Sequence, residues 1–340
     1  MSDALSTLLD RRDWLLLDGA TGTSLFAMGL ESGESPELWN VDAPDKVRAL
    51  HRGFIVEGSD LILTNSFGGS RYRLKLHQAE GRVGEINRAA ARLARECADE
   101  ADRPVIVAGS VGPSGEILEP VGALGHADAV EGFSEQIEAL MEGGADVIWT
   151  ETISSEEELR AVVEAAERCG APLCATLSFD TAGRTMMGVT STAWAELAET
   201  LPKRPIAIGA NCGTGASDLL RTVLGITEAR PDLIVIAKAN AGIPKFVDGH
   251  IHYNGTPELM ADYARLARDA GARLIGGCCG TEPAHLRAMR AALEAHEPGP
   301  RPTLEEIVSR LGDFSSPDDG TGAAAEAAAE GRRSRRRRRG

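Results

Sequence analysis

A chain of 340 residues with 43% hydrophobic and 26% charged residues has ample material for a buried core. The formal charge is −15, and seven arginines crowd positions 332–339, so the remainder carries about −22 and would repel nucleic acid and anionic membrane. There is no signal-like run and no stretch near the ~20 apolar residues that cross a bilayer, and six scattered cysteines make no secreted disulfide framework, so the composition points to the reducing cytoplasm.

The regular pattern begins at Trp14 with the apolar run WLLLDGA at 14–20. The next segment predicts a helix, with Val47, Leu50, Phe54 and Ile55 in one stripe and Gly58 closing it. Further runs follow in order: DLILTN at 60–65, PVIVAGSV at 104–111, DVIWTET at 146–152 and PLCATLSF at 172–179. AIGANC at 207–212, IVIAKAN at 234–240 and LIGGCCG at 274–280 complete the set. Continuous apolar runs of this length suit strands covered on both faces, as in a parallel sheet. Eight strand–helix units predict an α/β fold, the TIM (β/α)8 barrel. A doubly wound sheet would carry a G-x-G-x-x-G turn after its first strand, and DGATGTSLFAMG lacks it.

EPGPRP at 297–302 interrupts the pattern, and Leu304, Ile307, Val308 and Leu311 then predict a short helix. From Ser315 the chain is low-complexity and nearly free of large apolar residues, which predicts disorder. The expected organisation is a barrel over 1–300, a C-terminal helix over 301–314, and a disordered tail over 315–340, Ala/Glu-rich and then Arg-rich.

In such a barrel the chemistry gathers at the C-terminal ends of the strands. Those ends are Asp18, Thr64 and Asn65, Glu151, Asn211 and Cys212, Asn240, and Cys278 with Cys279. Closure brings strands six and eight near each other, so three thiols can meet above the mouth. In a reducing compartment that is a zinc site. Neighbouring strand residues face opposite ways, so Cys278 and Cys279 need a bend, for which Gly276, Gly277 and Gly280 give freedom. Three protein ligands leave a fourth position open to a substrate thiol. Asp18 and Glu151 then suit the ammonium group of an amino-acid substrate, and the backbone N–H groups around Gly19, Ala20 and Thr21 suit its carboxylate. Cys97, Cys169 and Cys174 read as structural.

These residues resemble the homocysteine S-methyltransferases. LDGATGT at 17–23, TNSFGGSRYRL at 64–74, GSVGPSG at 109–115, GANCG at 209–213 and GGCCGT at 276–281 carry the resemblance, over about residues 12–295. It implies a TIM barrel, Zn2+ on Cys212, Cys278 and Cys279, homocysteine at Asp18 and Glu151, and methyl transfer that yields methionine. No protein general base is required, because the metal has already displaced the thiol proton.

For the methyl donor the resemblance implies betaine, with dimethylglycine as second product. Trp39 stands where animal betaine enzymes carry a tryptophan near the donor, and a tryptophan face suits a quaternary ammonium. Asn65 is assigned to the same donor side. The chain departs from the animal enzymes at Gly68, where they carry a tyrosine. The alternative is the homocysteine-methylating subunit of a split cobalamin-dependent methionine synthase. The D-x-H-x-x-G cobalamin signature is absent, with Tyr253 where Asp248-Gly249-His250 would need a glycine, so a corrinoid would arrive on a separate protein. A reading of another class is an RNA-associated protein acting through the arginine tail. No aromatic residues interleave that tail, which argues against base-specific contacts.

Overall fold

A computed structural model describes residues 3–320 except Pro244, Asp248 and Gly249, and between 244 and 252 it describes backbone alone. The arginine run, and with it the RNA reading, lies outside the described residues. Among the described residues no helix is long and apolar enough to cross a membrane.

All eight apolar runs are strands: β1 (Leu15–Leu16), β2 (Leu61–Leu63), β3 (Ile106–Val111), β4 (Val147–Ile153), β5 (Leu173–Leu177), β6 (Ala207–Cys212), β7 (Val235–Ala239) and, last in the chain, β10 (Ala272–Gly277). A hairpin, β8 (Lys245–Val247) and β9 (His250–His252), sits between the last two outside the main sheet. The eight pair in parallel in the order β1-β10-β7-β6-β5-β4-β3-β2, a nearly closed barrel wrapped by helices. It is the expected TIM barrel.

Period-two alternation explains what fills the barrel. Leu15, Leu61, Ile106, Val147, Cys174, Ala207, Ile236 and Leu274 belong to one buried cluster along the lower barrel. Leu5, Leu8 and Leu9 of the helix Ala4–Leu9 join that cluster and close the bottom. The sequence pattern gave no notice of this helix. Further along the same inward rows the residues turn polar: Ser110, Glu151, Thr176, Asn211 and Lys238, all buried. The outward rows pack under the helices in a second, larger cluster that includes Leu16, Ile62, Val107 and Ile148.

The seam between β1 and β2 is not a backbone ladder. The Asp60 N–H donates to the Leu16 carbonyl at 2.7 Å, and the Leu16 N–H donates to Asp60 Oδ2 at 3.0 Å. Higher up, the Leu63 N–H donates to Asp18 Oδ2 at 2.7 Å. Two aspartates thus stitch the join. Fully buried Asp60 is paired with Arg12 at 2.6 Å, Arg290 at 2.9 Å and Arg103 at 3.5 Å.

The predicted C-terminal helix is Leu304–Leu311, capped by the Thr303 side chain, with Ile307 and Leu311 buried. Residues 315–320, assigned by composition to the disordered tail, lie against the barrel. The Ser315 N–H donates to Asp218 Oδ2 at 3.0 Å, and Arg221 donates to the Ser316 carbonyl at 2.9 Å. Local polar contacts hold these residues without large apolar side chains, which a composition argument does not register.

Candidate active site and metal centre

β6 ends at Cys212, whose φ of 61° is left-handed, and Gly213 continues that turn. β10 ends at Gly277, and the bend asked of strand eight follows as a turn in which the Thr281 N–H donates to the Cys278 carbonyl at 3.1 Å. Gly277 has no alternative there, since a methyl group on it would lie 2.2 Å from the Thr281 side chain. Asn240 fastens the two cysteine loops together. Its Nδ2 donates to the Gly213 carbonyl at 2.9 Å, and its Oδ1 accepts from the Cys279 N–H at 3.0 Å.

As a result the thiols of Cys212, Cys278 and Cys279 lie within 4.8 Å of one another. Two sulfurs bound to one zinc, each at about 2.3 Å, stand no more than about 4.6 Å apart. A small inward movement therefore gathers all three around one ion, and a soft all-sulfur set suits zinc. The Cys278 thiol is held well above the ordinary thiol range, first by its contact with Cys212 and then by burial. Such a cluster keeps its protons until a cation replaces them. Asn211 Nδ2 stands 3.9 Å from Cys278 Sγ, and the Tyr253 phenol contacts Cys279. Among the described residues this is the cluster with metal-ligand geometry.

A cavity of about 270 Å³ adjoins the thiols, close to the lower end of ligand sites at roughly 300 Å³. Glu151 and Ser110 line it from β4 and β3, Lys238 from β7, and Gly19, Ala20 and Asn65 from the loops after β1 and β2. Glu151 Oε1 accepts from Ser110 Oγ at 2.6 Å, and desolvation pushes this carboxyl above its usual range. Gly19 permits the β1 loop to approach β10, because a methyl group there would stand 2.5 Å from the Thr281 carbonyl oxygen.

Several predicted residues stand differently from expectation. Asp18 lies beneath the cavity, not on its wall, and both its oxygens are engaged. Oδ1 meets Lys238 Nζ at 2.6 Å, and Oδ2 takes the Leu63 N–H. The Ala20 N–H donates to the Thr281 carbonyl at 3.0 Å, which leaves less backbone for a carboxylate than expected. Asn65 reaches the cavity, but its Nδ2 is committed to the Pro36 carbonyl and Asn40. Trp39 is turned away. It is 9% exposed in the outer core, and Lys46 Nζ covers its ring at 4.1 Å. The cause is local: Pro36–Leu38 form a 3-10 turn that leads into the short helix Trp39–Asp42, so Glu37 and Trp39 leave the backbone on different faces. Glu37 gets the cavity and Trp39 the core.

Sequence reasoning passed over Lys238, Glu37 and Phe67. Phe67 is the aromatic residue on the cavity wall and is 37% exposed. Glu37 accepts from the Gly68 N–H and from Ser35 Oγ, both at 2.6 Å. For Lys238 a signal existed, since a lysine inside the apolar run IVIAKAN has to find a buried partner.

A model of the homocysteine S-methyltransferase family matches residues 15–293. The methionine synthase of Mycobacterium tuberculosis (strain ATCC 25618 / H37Rv) is 30% identical over 311 residues, 86% of this chain and 26% of that protein. The methionine synthase of Mycobacterium leprae (strain TN) is 29% identical over 326 residues, 91% and 26% respectively. The chain thus spans about a quarter of the length of these curated relatives. Among solved structures, the Escherichia coli homocysteine methyltransferase MmuM in its metallated form superposes with a TM-score of 0.72 at 25% identity, covering 84% of this chain and 99% of that one. Its oxidized form gives 0.69 at 26% identity, covering 85% and 99%.

Proposed function

Because the chain belongs to the homocysteine S-methyltransferase family, we propose that it methylates homocysteine to methionine in the cytoplasm, with zinc on Cys212, Cys278 and Cys279. The observation that carries the reading is the approach of three thiols within 4.8 Å beside a cavity that bears a buried carboxylate. Zinc held by these three thiols would supply a Lewis acid that favours the thiolate form of a substrate near neutral pH.

The chain's own residues bind and align. Glu151, steadied by Ser110, takes the substrate ammonium; Asp18 acts from below through Lys238. Asn240 keeps the two cysteine loops in register. The reaction is an in-line displacement, with the methyl carbon between the attacking sulfur and the leaving group, so alignment is the protein's main contribution.

For the donor we propose betaine, received at the mouth by the Phe67 ring and the Glu37 carboxylate. A ring face and an anion held by neutral donors both favour a quaternary ammonium. A second reading is favoured by the match to the mycobacterial methionine synthases: a methyl group delivered on a corrinoid by a separate protein. Purified protein incubated with homocysteine and either betaine or methylcobalamin decides between them. Dimethylglycine formed in step with methionine supports betaine. Methionine from methylcobalamin alone supports the corrinoid reading.

Glu151→Gln is expected to lower kcat/KM for homocysteine ten-fold or more with metal content unchanged. A charge-assisted contact of this kind contributes about 1.5–3 kcal/mol. Loss of the metal in this variant would assign the carboxylate to the ion and refute its role at the ammonium.

A further inference from the structure

A second cavity, of about 510 Å³, lies in the helical layer of the barrel and shares no lining residue with the cavity at the thiols. It is a groove whose floor is the helix Ala216–Ala229 at Leu224, Gly225 and Ala229. Ser191 of the helix Ser191–Leu197 forms one wall, and Leu304 of the C-terminal helix forms the other. Leu304 is 48% exposed, although Ile307 and Leu311 of the same helix are buried. Arg301 stands beside it, with a loose ion pair to Glu228 at 3.9 Å, and the Glu228 side chain is 83% exposed. Asp319 also lines the groove, and the described chain ends one residue later at Gly320. That last residue lies close against the barrel. Its N–H donates to Asp318 Oδ1 at 3.0 Å, and a methyl group on it would collide with the Gly183 carbonyl.

We propose that this groove is the docking site of residues 321–331, TGAAAEAAAEG, on the barrel that carries them. The chain is delivered there, since residue 321 follows directly on Asp319 and Gly320 at the edge of the groove. Eleven residues reach at most about 36–40 Å when extended. The floor from Leu224 to Ala229 is only about 8 Å of helix at 1.5 Å per residue, so reach sets no limit. Six alanines suit a floor built partly of glycine and alanine, cover Leu304, and lose no rotamer freedom when buried. Glu326 and Glu330 bring the close carboxylate that Arg301 lacks among the described residues. The arginines from 332 onward then arrive beside exposed Glu228, near the end of the helix Ala216–Ala229 that is farther from the mouth. Both signs of charge in the tail thus find a counterpart on the groove. The arginine run is thereby kept on the flank of the barrel and off the entrance to the thiols.

The test is methyl NMR on the full chain, labelled at alanine and leucine methyl groups. Cross-relaxation is expected from the alanines of 323–329 to the methyl groups of Leu224 and Leu304. In the variant Glu326→Lys/Glu330→Lys, which alters no residue of the barrel, those signals should weaken at least about two-fold, the scale set by exposed ion pairs. A mixture of chains labelled only at alanine with chains labelled only at leucine separates docking within one molecule from docking between two. The mixture is expected to show no such contacts. Their absence in the uniformly labelled native chain overturns the proposal, a result that needs no variant. Contacts that appear in the mixture also overturn it, because they give the groove to the tail of a second copy. Contacts of full strength in the lysine variant do the same, because they leave Arg301 no part in the docking.

Discussion

Cys279→Ala is expected to lose bound zinc and methionine formation together, while the barrel stays folded. Two thiols cannot complete a three-ligand site, and no other cysteine, histidine or carboxylate joins the cluster among the described residues. Turnover should fall by several orders of magnitude, because without the ion the substrate thiol, with a pKa of about 8.5, is mostly protonated near neutral pH. The fold should survive because the local architecture is held by backbone. The Cys278 N–H donates to the Ala239 carbonyl, and the Cys279 N–H to Asn240 Oδ1, whatever the side chain at 279. Metal content by atomic emission, thermal melting and methionine formation on one preparation check this. One tightly held zinc with normal turnover would refute the three-cysteine site.

The second large effect belongs to stability. Asp60→Ala is expected to lower the unfolding free energy by about 3–5 kcal/mol, the range for removing one partner of a buried ion pair. The side chain is fully buried and serves three arginines and the Leu16 N–H. Alanine leaves that N–H without an acceptor and three guanidinium groups without their common anion. Against a total stability of about 5–15 kcal/mol this is a large fraction. Asp60→Asn should cost less, because the amide oxygen can still accept from Leu16. The midpoint of urea unfolding at unchanged slope measures both. A loss below about 1 kcal/mol for Asp60→Ala would mean that the seam does not depend on this carboxylate.

The barrel was legible because its strands are covered on both faces, so they read as continuous apolar runs that nothing else in the chain imitates. The three cysteines were legible because they fall at run ends beside glycine. What escaped was direction. Trp39 is two residues from Glu37, and only the 3-10 turn between them decides which one meets the cavity. Lys238 was hidden by its apolar neighbours, and its partner Asp18 lies 220 residues away in sequence. The helix Ala4–Leu9 is too short for periodicity to reveal, although it closes the bottom of the barrel.

The seam has a consequence for how the molecule reaches its working state. Among the described residues the strand ladder of β1 is made with β10, so the first strand made waits for almost the last. Contacts of such separation in sequence carry a high loop-closure entropy and slow the folding of a chain. Asp18 and Lys238 stand on opposite sides of the same delay, as do Cys212 and the pair at 278 and 279. A nascent chain that stops short of β10 therefore has neither the sulfur cluster nor a closed floor. The sulfur cluster and the closed barrel are completed in a single event.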